Sequence, residues 1–244
     1  MEDRKPIDCV ATRTAKAAGI AVDEIWGSEN RPFSEKLDDA LDDTKPNEPD
    51  LWTDMVNFFF QRTNHHVALV NKYAEIIYYR FPEICAELVT NARVHDASKY
   101  RPPEYVPYIY LTWGKKNGMD FTEICETMPE CKIHGFKSPQ DIKNAIDRAT
   151  LHHVMVNKHH PECHSQNPSI NTNNRDAAPA KIVIATSMDT LSLAEMCADW
   201  AAMSEELGTS LAEWARKNIG VRWRFSANQK QQIANFLTIC IQNG

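Results

Sequence analysis

A histidine and an aspartate stand side by side at His95-Asp96, and Lys99 follows the aspartate by three residues. Neutral imidazole and carboxylate are ligands that divalent iron, manganese, zinc or magnesium accept. Neighbouring residues on a helix project about 100° apart, because roughly 3.6 residues make a turn. Two adjacent ligands therefore share an ion only in a seam between helices, and other helices must supply the rest. The chain carries such candidates: His65-His66 upstream, His152-His153 and His159-His160 downstream, and Asp199 beyond them. A lone His-Asp dipeptide means little, and a histidine on an apolar stripe is usually a satisfied core residue. Here most of the nine histidines fall in pairs, within or at the ends of apolar, helix-periodic segments. Burying several of them beside an aspartate is costly unless something meets them. Metal coordination is the simplest explanation common to all.

The elements that must position these residues read as helices. From about Leu51, Met55, Phe59, His66, Val70, Tyr73 and Ile77 follow a 3.6-residue stripe, with His66 in it and His65 at its edge. Pro82 ends that helix or opens the next. Ile84, Cys85, Leu88, Val89 and Ala92 form a second stripe that delivers His95 and Asp96 at its C-terminal end. Pro102-Pro103 starts a further helical segment carrying Glu104, Tyr105, Tyr108, Tyr110 and Trp113. Residues 118–138 read as an irregular insertion. Ser138-Pro139-Gln140-Asp141 is a helix start, and the helix continues through Ile142, Ile146, Ala149 and His153. His153 lies in the stripe and His152 at its edge. His160 shares that face if the helix persists to Pro161; His159 is the better candidate if the helix frays. Pro179 opens a helix through Met188, Ser192, Glu195, Met196, Asp199 and Met203, which puts Asp199 on the inward face with Glu195 one turn before it. Ser210-Leu211-Ala212-Glu213 and Ser226-Ala227-Asn228-Gln229 both match capping boxes. There is no alternating strand run and no glycine-rich phosphate loop. The expected fold class is all-α: a domain over 51–244 with an insertion at about 114–138, preceded by an acidic extension over residues 1–50 that includes a short helix at 11–22.

Net charge is −6 at neutral pH over 244 residues. That balance argues against a nucleic-acid-coating surface. No run reaches the roughly 18 apolar residues of a membrane helix, so no membrane partner is expected. The N-terminus lacks the apolar core of a secretory signal. Seven scattered cysteines suit a reduced, intracellular, cytoplasmic protein. Cys125, Cys131 and His134, with Cys163 or His164, form a weak zinc pattern whose plainer reading is free thiols. Tyr100, Tyr105, Tyr108 and Trp113 could stack on a base or sugar, although aromatic residues at helical spacing are more often core. Trp200, beside Asp199, is read in the same way. Sequence leaves the oligomeric state open.

Three motifs stand together: H-D-x-S-K (His95 to Lys99), H-x3-N-x-H-H-P-E (His153 to Glu162) and E-M-x2-D-W (Glu195 to Trp200). With His66 ahead of them, the order resembles the HD-domain superfamily of metal-dependent phosphohydrolases over about residues 55–205. Within that superfamily it looks like an HD-like family of phage and bacterial proteins, which allows a viral origin. The resemblance implies a helical bundle in which His66, His95, Asp96 and Asp199 hold a first ion. A second ion would lie on Asp96, His153 and His159 or His160, with Asp96 bridging. It implies one or two divalent ions, with Fe, Mn, Mg, Zn and Co all open, and hydrolysis of a small, nucleotide-like phosphoester or phosphoanhydride. Asp96 would stand at the centre of that chemistry. Lys99 would contact a phosphate as a compact point charge. Glu104 would act as general acid or base, or as a supporting partner of a ligand; Arg93 and Arg101 are further anion contacts if they are not simply structural. The glycine-tyrosine-proline motif of cyclic dinucleotide phosphodiesterases is missing, which argues against that class. Two other readings remain: an HD-type di-iron oxygenase with a similar ligand set, and a non-catalytic metal-binding or structural protein.

Overall fold

The computed structural model describes residues 51–166, 168–171 and 177–244. The expected acidic extension and its helix at 11–22 lie outside the described residues. The fold is all-α. Its axis is α1 (Leu51–Arg80), a 30-residue helix that buries Met55, Phe59, His66, Val70, Tyr73 and Ile77, the stripe read from periodicity. After α1 come α2 (Leu88–Ala92), a short 3-10 turn (Ala97–Tyr100) and α3 (Tyr105–Asn117). Next are α4 (Phe121–Thr127), α5 (Glu130–Ile133) and α6 (Pro139–Val156). A second 3-10 turn (Pro161–His164) leads to β1 (Val183–Ile184), α7 (Thr190–Leu207), α8 (Leu211–Asn218), β2 (Trp223–Arg224) and α9 (Ala227–Asn243). Among the described residues, no helix is long and apolar enough to cross a membrane.

Two apolar clusters flank the middle of α1. The C-terminal half of α1 contributes Val70, Tyr73, Ala74 and Ile77 to a core shared with α7 and α9. Its N-terminal half contributes Met55, Phe59 and Phe60 to a second core with α3 and α6. His66 falls between the two, so the polar residues gather in a seam walled by apolar side chains. The aromatic residues after the HD pair serve this packing: Tyr100 stacks on Phe60 at 5.2 Å between ring centroids, and Tyr105 meets the edge of Phe59 at 5.7 Å.

The helix starts follow capping chemistry. Ser138 accepts from Asp141 N at 3.3 Å with Pro139 at the first position. Ser226 and Gln229 close both halves of a capping box, at 3.2 and 2.8 Å. Ser210 accepts from Glu213 N at 3.3 Å.

Three expectations need correction. Residues 118–138 are not irregular: Asp120 caps α4 by accepting from Thr122 N and Glu123 N at 2.8 and 2.9 Å, and α5 follows at once. Pro179 does not open α7. The helix begins at Thr190, where the Asp189 side chain accepts from Ser192 N at 2.7 Å. The chain before it is extended, because Val183 N and Ala185 N donate to Arg222 O and Arg224 O across a parallel pairing that the lack of alternating strand runs had not suggested. Finally, α2 stops at Ala92, so His95 and Asp96 lie beyond its end.

The C-terminal segment braces the site from behind. Trp200, Trp214 and Trp223 form one cluster, with Trp200 stacked on Trp223 at 5.3 Å. Trp223 Nε1 donates to Glu162 Oε1 at 2.8 Å, and both residues are buried. That bond anchors the turn just after His159 and His160. Removing a donor from a buried carboxylate costs about 1–3 kcal/mol. Trp223→Phe, which keeps the ring packing, is therefore expected to lower unfolding free energy by about that amount. An unchanged urea midpoint would show that the bond contributes nothing.

Candidate metal centre

The HD pair reaches the seam through a backbone kink rather than a helix. Asp96 has φ 61°, the left-handed region, and is the one non-glycine residue at positive φ among those described. Aspartate tolerates that region better than most residues. The kink swings His95 and Asp96 to the same side, which a continuous helix would not do. The loop is tied down by Asn71 on α1, whose Nδ2 donates to Ala92 O at 3.1 Å. Asn157, which closes α6, donates to Ser98 Oγ at 2.8 Å on the other flank.

Into this seam α1 brings His66, α6 brings His153 and α7 brings Asp199. The open alternatives resolve by placement: His66 and His153 are buried inside, His65 is exposed and His152 is half-buried at the rim. α6 ends at Val156, so His160 does not continue its face. The turn that follows instead buries His159, with His160 half-buried against it at 4.3 Å between rings. The donor atoms converge. His66 Nε2 lies 3.1 Å from Asp199 Oδ1 and 4.0 Å from Asp96 Oδ2. His95 Nε2 is 3.7 Å from Asp96 Oδ1 and 3.8 Å from Asp199 Oδ1. His153 Nε2 and His159 Nε2 are 3.2 and 3.6 Å from Asp96 Oδ1. Three overlapping groups keep their ligand atoms within 4.8 Å of one another: His66, His95 and Asp96; Asp96, His153, His159 and His160; and His95, His159 and Asp199.

Behind the rings stands a layer of glutamates. His66 Nδ1 is 3.3 Å from Glu206, His95 Nδ1 and His159 Nδ1 are 3.0 and 3.3 Å from Glu195, and His153 Nδ1 is 2.9 Å from Glu104. An ionised carboxylate only accepts, so a neutral His95, His153 or His159 carries its proton on Nδ1 and turns its Nε2 lone pair inward, whereas His66 Nε2 meets Asp199 Oδ1. Glu104 is wholly buried, and its oxygens also meet His152 Nδ1 at 2.7 Å and Ser98 Oγ at 3.1 Å. Sequence reasoning missed Glu206 and gave Glu195 no role. Their spacing was the available signal: Glu195, Asp199 and Glu206 are four and seven residues apart on one helix face. Lys99 lies at the rim and donates to Asp96 Oδ2. Arg93 and Arg101 are exposed, outside the donor groups.

This chemistry fits a cation. Among the described residues, five carboxylates (Asp96, Asp199, Glu104, Glu195 and Glu206) gather here against the imidazoles, Lys99 and Arg62, the latter 3.3 Å from Glu206. His95 Nε2, His159 Nε2 and Asp96 Oδ1 have no hydrogen-bond partner among the described residues, yet all three point into one small volume. Buried donors without partners are costly, and a divalent ion would meet all three. Burial raises the Asp96 carboxyl, but Lys99 and the surrounding imidazoles hold it well below the usual range. Glu195 is held at about 2: burial opposes its charge, and its bonds to His159 and His95 more than offset burial. The plainer reading of the cysteines holds, and among the described residues they form no metal-donor group. Cys125, Cys131 and Cys163 are free thiols, His134 Nδ1 bonds Tyr110 Oη at 2.8 Å, and His164 bonds Lys158 O at 2.7 Å.

Burial disfavours charge on His66, but Asp199 and Glu206 outweigh it and push the imidazole up to about 9. A value raised above the ordinary 6.5 adds stability that is complete below pH 6.5 and lost as pH rises through about 9. Chelator-treated protein is therefore expected to lose thermal stability across that window, and His66→Gln to flatten the loss. A melting temperature independent of pH across the window in the parent protein would contradict the ion-pair account.

A family model described as "Family of unknown function (DUF5662)" matches residues 55–242, which takes in every converging residue above. No curated protein and no solved structure matches the chain. The chain belongs to the DUF5662 family.

Proposed function

We propose that this protein is a metal-dependent phosphohydrolase of the HD type, acting on a nucleotide-like or other small phosphoester. The observation that carries the reading is the convergence of four buried imidazoles on two aspartates, with every outer ring nitrogen backed by a glutamate. His66, His95, Asp96 and Asp199 would hold one divalent ion, and Asp96, His153, His159 and His160 a second. When bound, such ions lower the pKa of a coordinated water and stabilise charge on phosphoryl oxygens.

The residues of the chain do the rest. The Lys99 ammonium is anchored by Asp96 at the rim with part of its side chain open to solvent, where a phosphate oxygen can reach it. Glu104 is a positioning residue rather than a general acid or base. It has no solvent exposure, and both its oxygens are engaged by histidines. It holds the His153 ring; Ser98 donates to Glu104, and Asn157 donates to Ser98 Oγ and His153 O. The apolar walls on either side of α1 keep bulk water from the aspartates.

One observation favours a second reading. The donor set is rich in imidazole, which suits iron, manganese, cobalt or zinc better than magnesium. Iron in such a site would be consistent with an oxygenase.

Elemental analysis of protein purified without chelators separates these readings. Manganese, zinc or cobalt with phosphate release from nucleotides supports hydrolysis, whereas two irons per chain with oxygen uptake supports the oxygenase. His95→Gln and Asp96→Asn are each expected to lose bound metal and activity while the far-ultraviolet circular dichroism is kept. Lys99→Ala should keep the metal and raise KM about tenfold, the loss expected for one charge-assisted phosphate contact. Full metal content in both the His95 and Asp96 variants would sink the assignment.

A further inference from the structure

We infer that Glu195 is the positioning residue that locks the two halves of the site together, so that its loss weakens both ion positions at once. The inference rests on the metal-site reading above and adds that both halves fill. Its basis is an asymmetry among the three glutamates. Glu206 backs His66 alone of the converging rings, and Glu104 backs His153 alone. Glu195 backs two rings from opposite halves, and it does so through a single oxygen: Oε1 is 3.0 Å from His95 Nδ1 and 3.3 Å from His159 Nδ1. His95 belongs with His66 and Asp96, and His159 with Asp96, His153 and His160. Those two histidines are also the pair that the third donor group joins through Asp199. Their rings lie 4.0 Å apart and tilted by 32°, so neither ring turns without the other.

The reason is steric and electrostatic together. Glu195 sits on the buried face of α7, and its own side chain is nearly buried, so the carboxylate stays with the imidazoles it meets rather than with water. One oxygen accepting from two N–H groups fixes both tautomers with the same charge and aims both Nε2 atoms at the centre. His95 Nε2 and His159 Nε2 are buried without a hydrogen-bond partner among the described residues, so the bond at Nδ1 is what orients each ring. Sharing Asp96 between the halves does not have this effect on the rings, because Asp96 meets their Nε2 side and leaves their rotation free.

The test is titration calorimetry of chelator-treated protein with Mn(II) alone, repeated with Co(II) while the visible absorption of the loaded protein is recorded. Wild type is expected to take up two ions per chain. Glu195→Gln, nearly the same size, is expected to weaken both binding steps by about tenfold to a hundredfold and to alter the Co(II) spectrum of both. Glu206→Gln should weaken one step only and Glu104→Gln only the other. If Glu195→Gln fails to fold by circular dichroism, Glu195→Asp decides by the same comparison, since its carboxylate is too short to reach both rings. A Glu195 variant that weakens one step or neither overturns the proposal. One ion per chain in wild type also overturns it, while the metal-site reading stands. No ion at all overturns both.

Discussion

The carboxylate of Asp96 has almost no contact with water, and its backbone is held in the left-handed region. Each condition is unfavourable alone. A strained non-glycine residue costs on the order of 1–3 kcal/mol, and a buried charge costs several more unless it is met. Lys99 and His95 from its own loop meet part of that charge, and the rest is met from along the chain: His66 from α1, and His153 and His159 from α6 and its following turn. The fold is thus organised by the need to bring distant imidazoles around one acid. That need also explains why the polar seam lies where the two apolar clusters along α1 meet.

Helices alone would not hold such a site, because four of the seven converging residues lie outside the α-helices. His95 and Asp96 follow the end of α2, and His159 and His160 follow the end of α6. Each segment is clamped by a side chain rather than by a regular ladder. Asn71 holds Ala92 O, Asn157 holds Ser98, and Trp223 holds Glu162. The clamps are part of the site in the physical sense, since ligand geometry must be kept to within about half an ångström. They also give the remote tryptophan cluster a purpose beyond bulk packing. Its ring stack sets where the indole nitrogen of Trp223 lies, and that nitrogen sets where the turn after His160 runs.

Periodicity made part of this legible and not the rest, and the division follows from which forces are local. His66 and His153 could be assigned to inward faces because a helix repeats every 3.6 residues wherever it forms. Asp199 was legible for the same reason, and Glu195 and Glu206 stood four and seven residues from it on the same face. The Asp120 cap of α4 is present in the sequence too, two residues after the left-handed Gly118 that ends α3. The kink at Asp96 was not legible, because much of what meets its carboxylate, His66, His153 and His159, comes from distant parts of the chain. Nor was the start of α7. Val183 and Ala185 are extended because residues 222–224 lie beside them, nearly forty positions later in the chain. The order of His159 and His160 turned on where α6 frays, and Asn157 settles that by bonding back to His153 O at 2.8 Å.

The balance of charge argues for what such a seam receives. Among the described residues, five carboxylates gather where one lysine and one arginine reach them besides the imidazoles, which favours a positively charged guest. Surface acids are common and mean little, but Glu104 and Asp96 are buried, where the same repulsion is felt through a weaker dielectric. A purely organic cation would satisfy charge and leave the inward ring nitrogens unused. A hard ion such as magnesium would take the aspartates and gain little from the imidazoles. The arrangement that uses both is a borderline divalent ion, for which imidazole nitrogen and carboxylate oxygen are both good ligands. The glutamates behind the rings act in the same direction. By accepting from Nδ1, Glu195 and Glu104 make the Nε2 atoms of His95, His159 and His153 better electron donors, which suits a metal ligand.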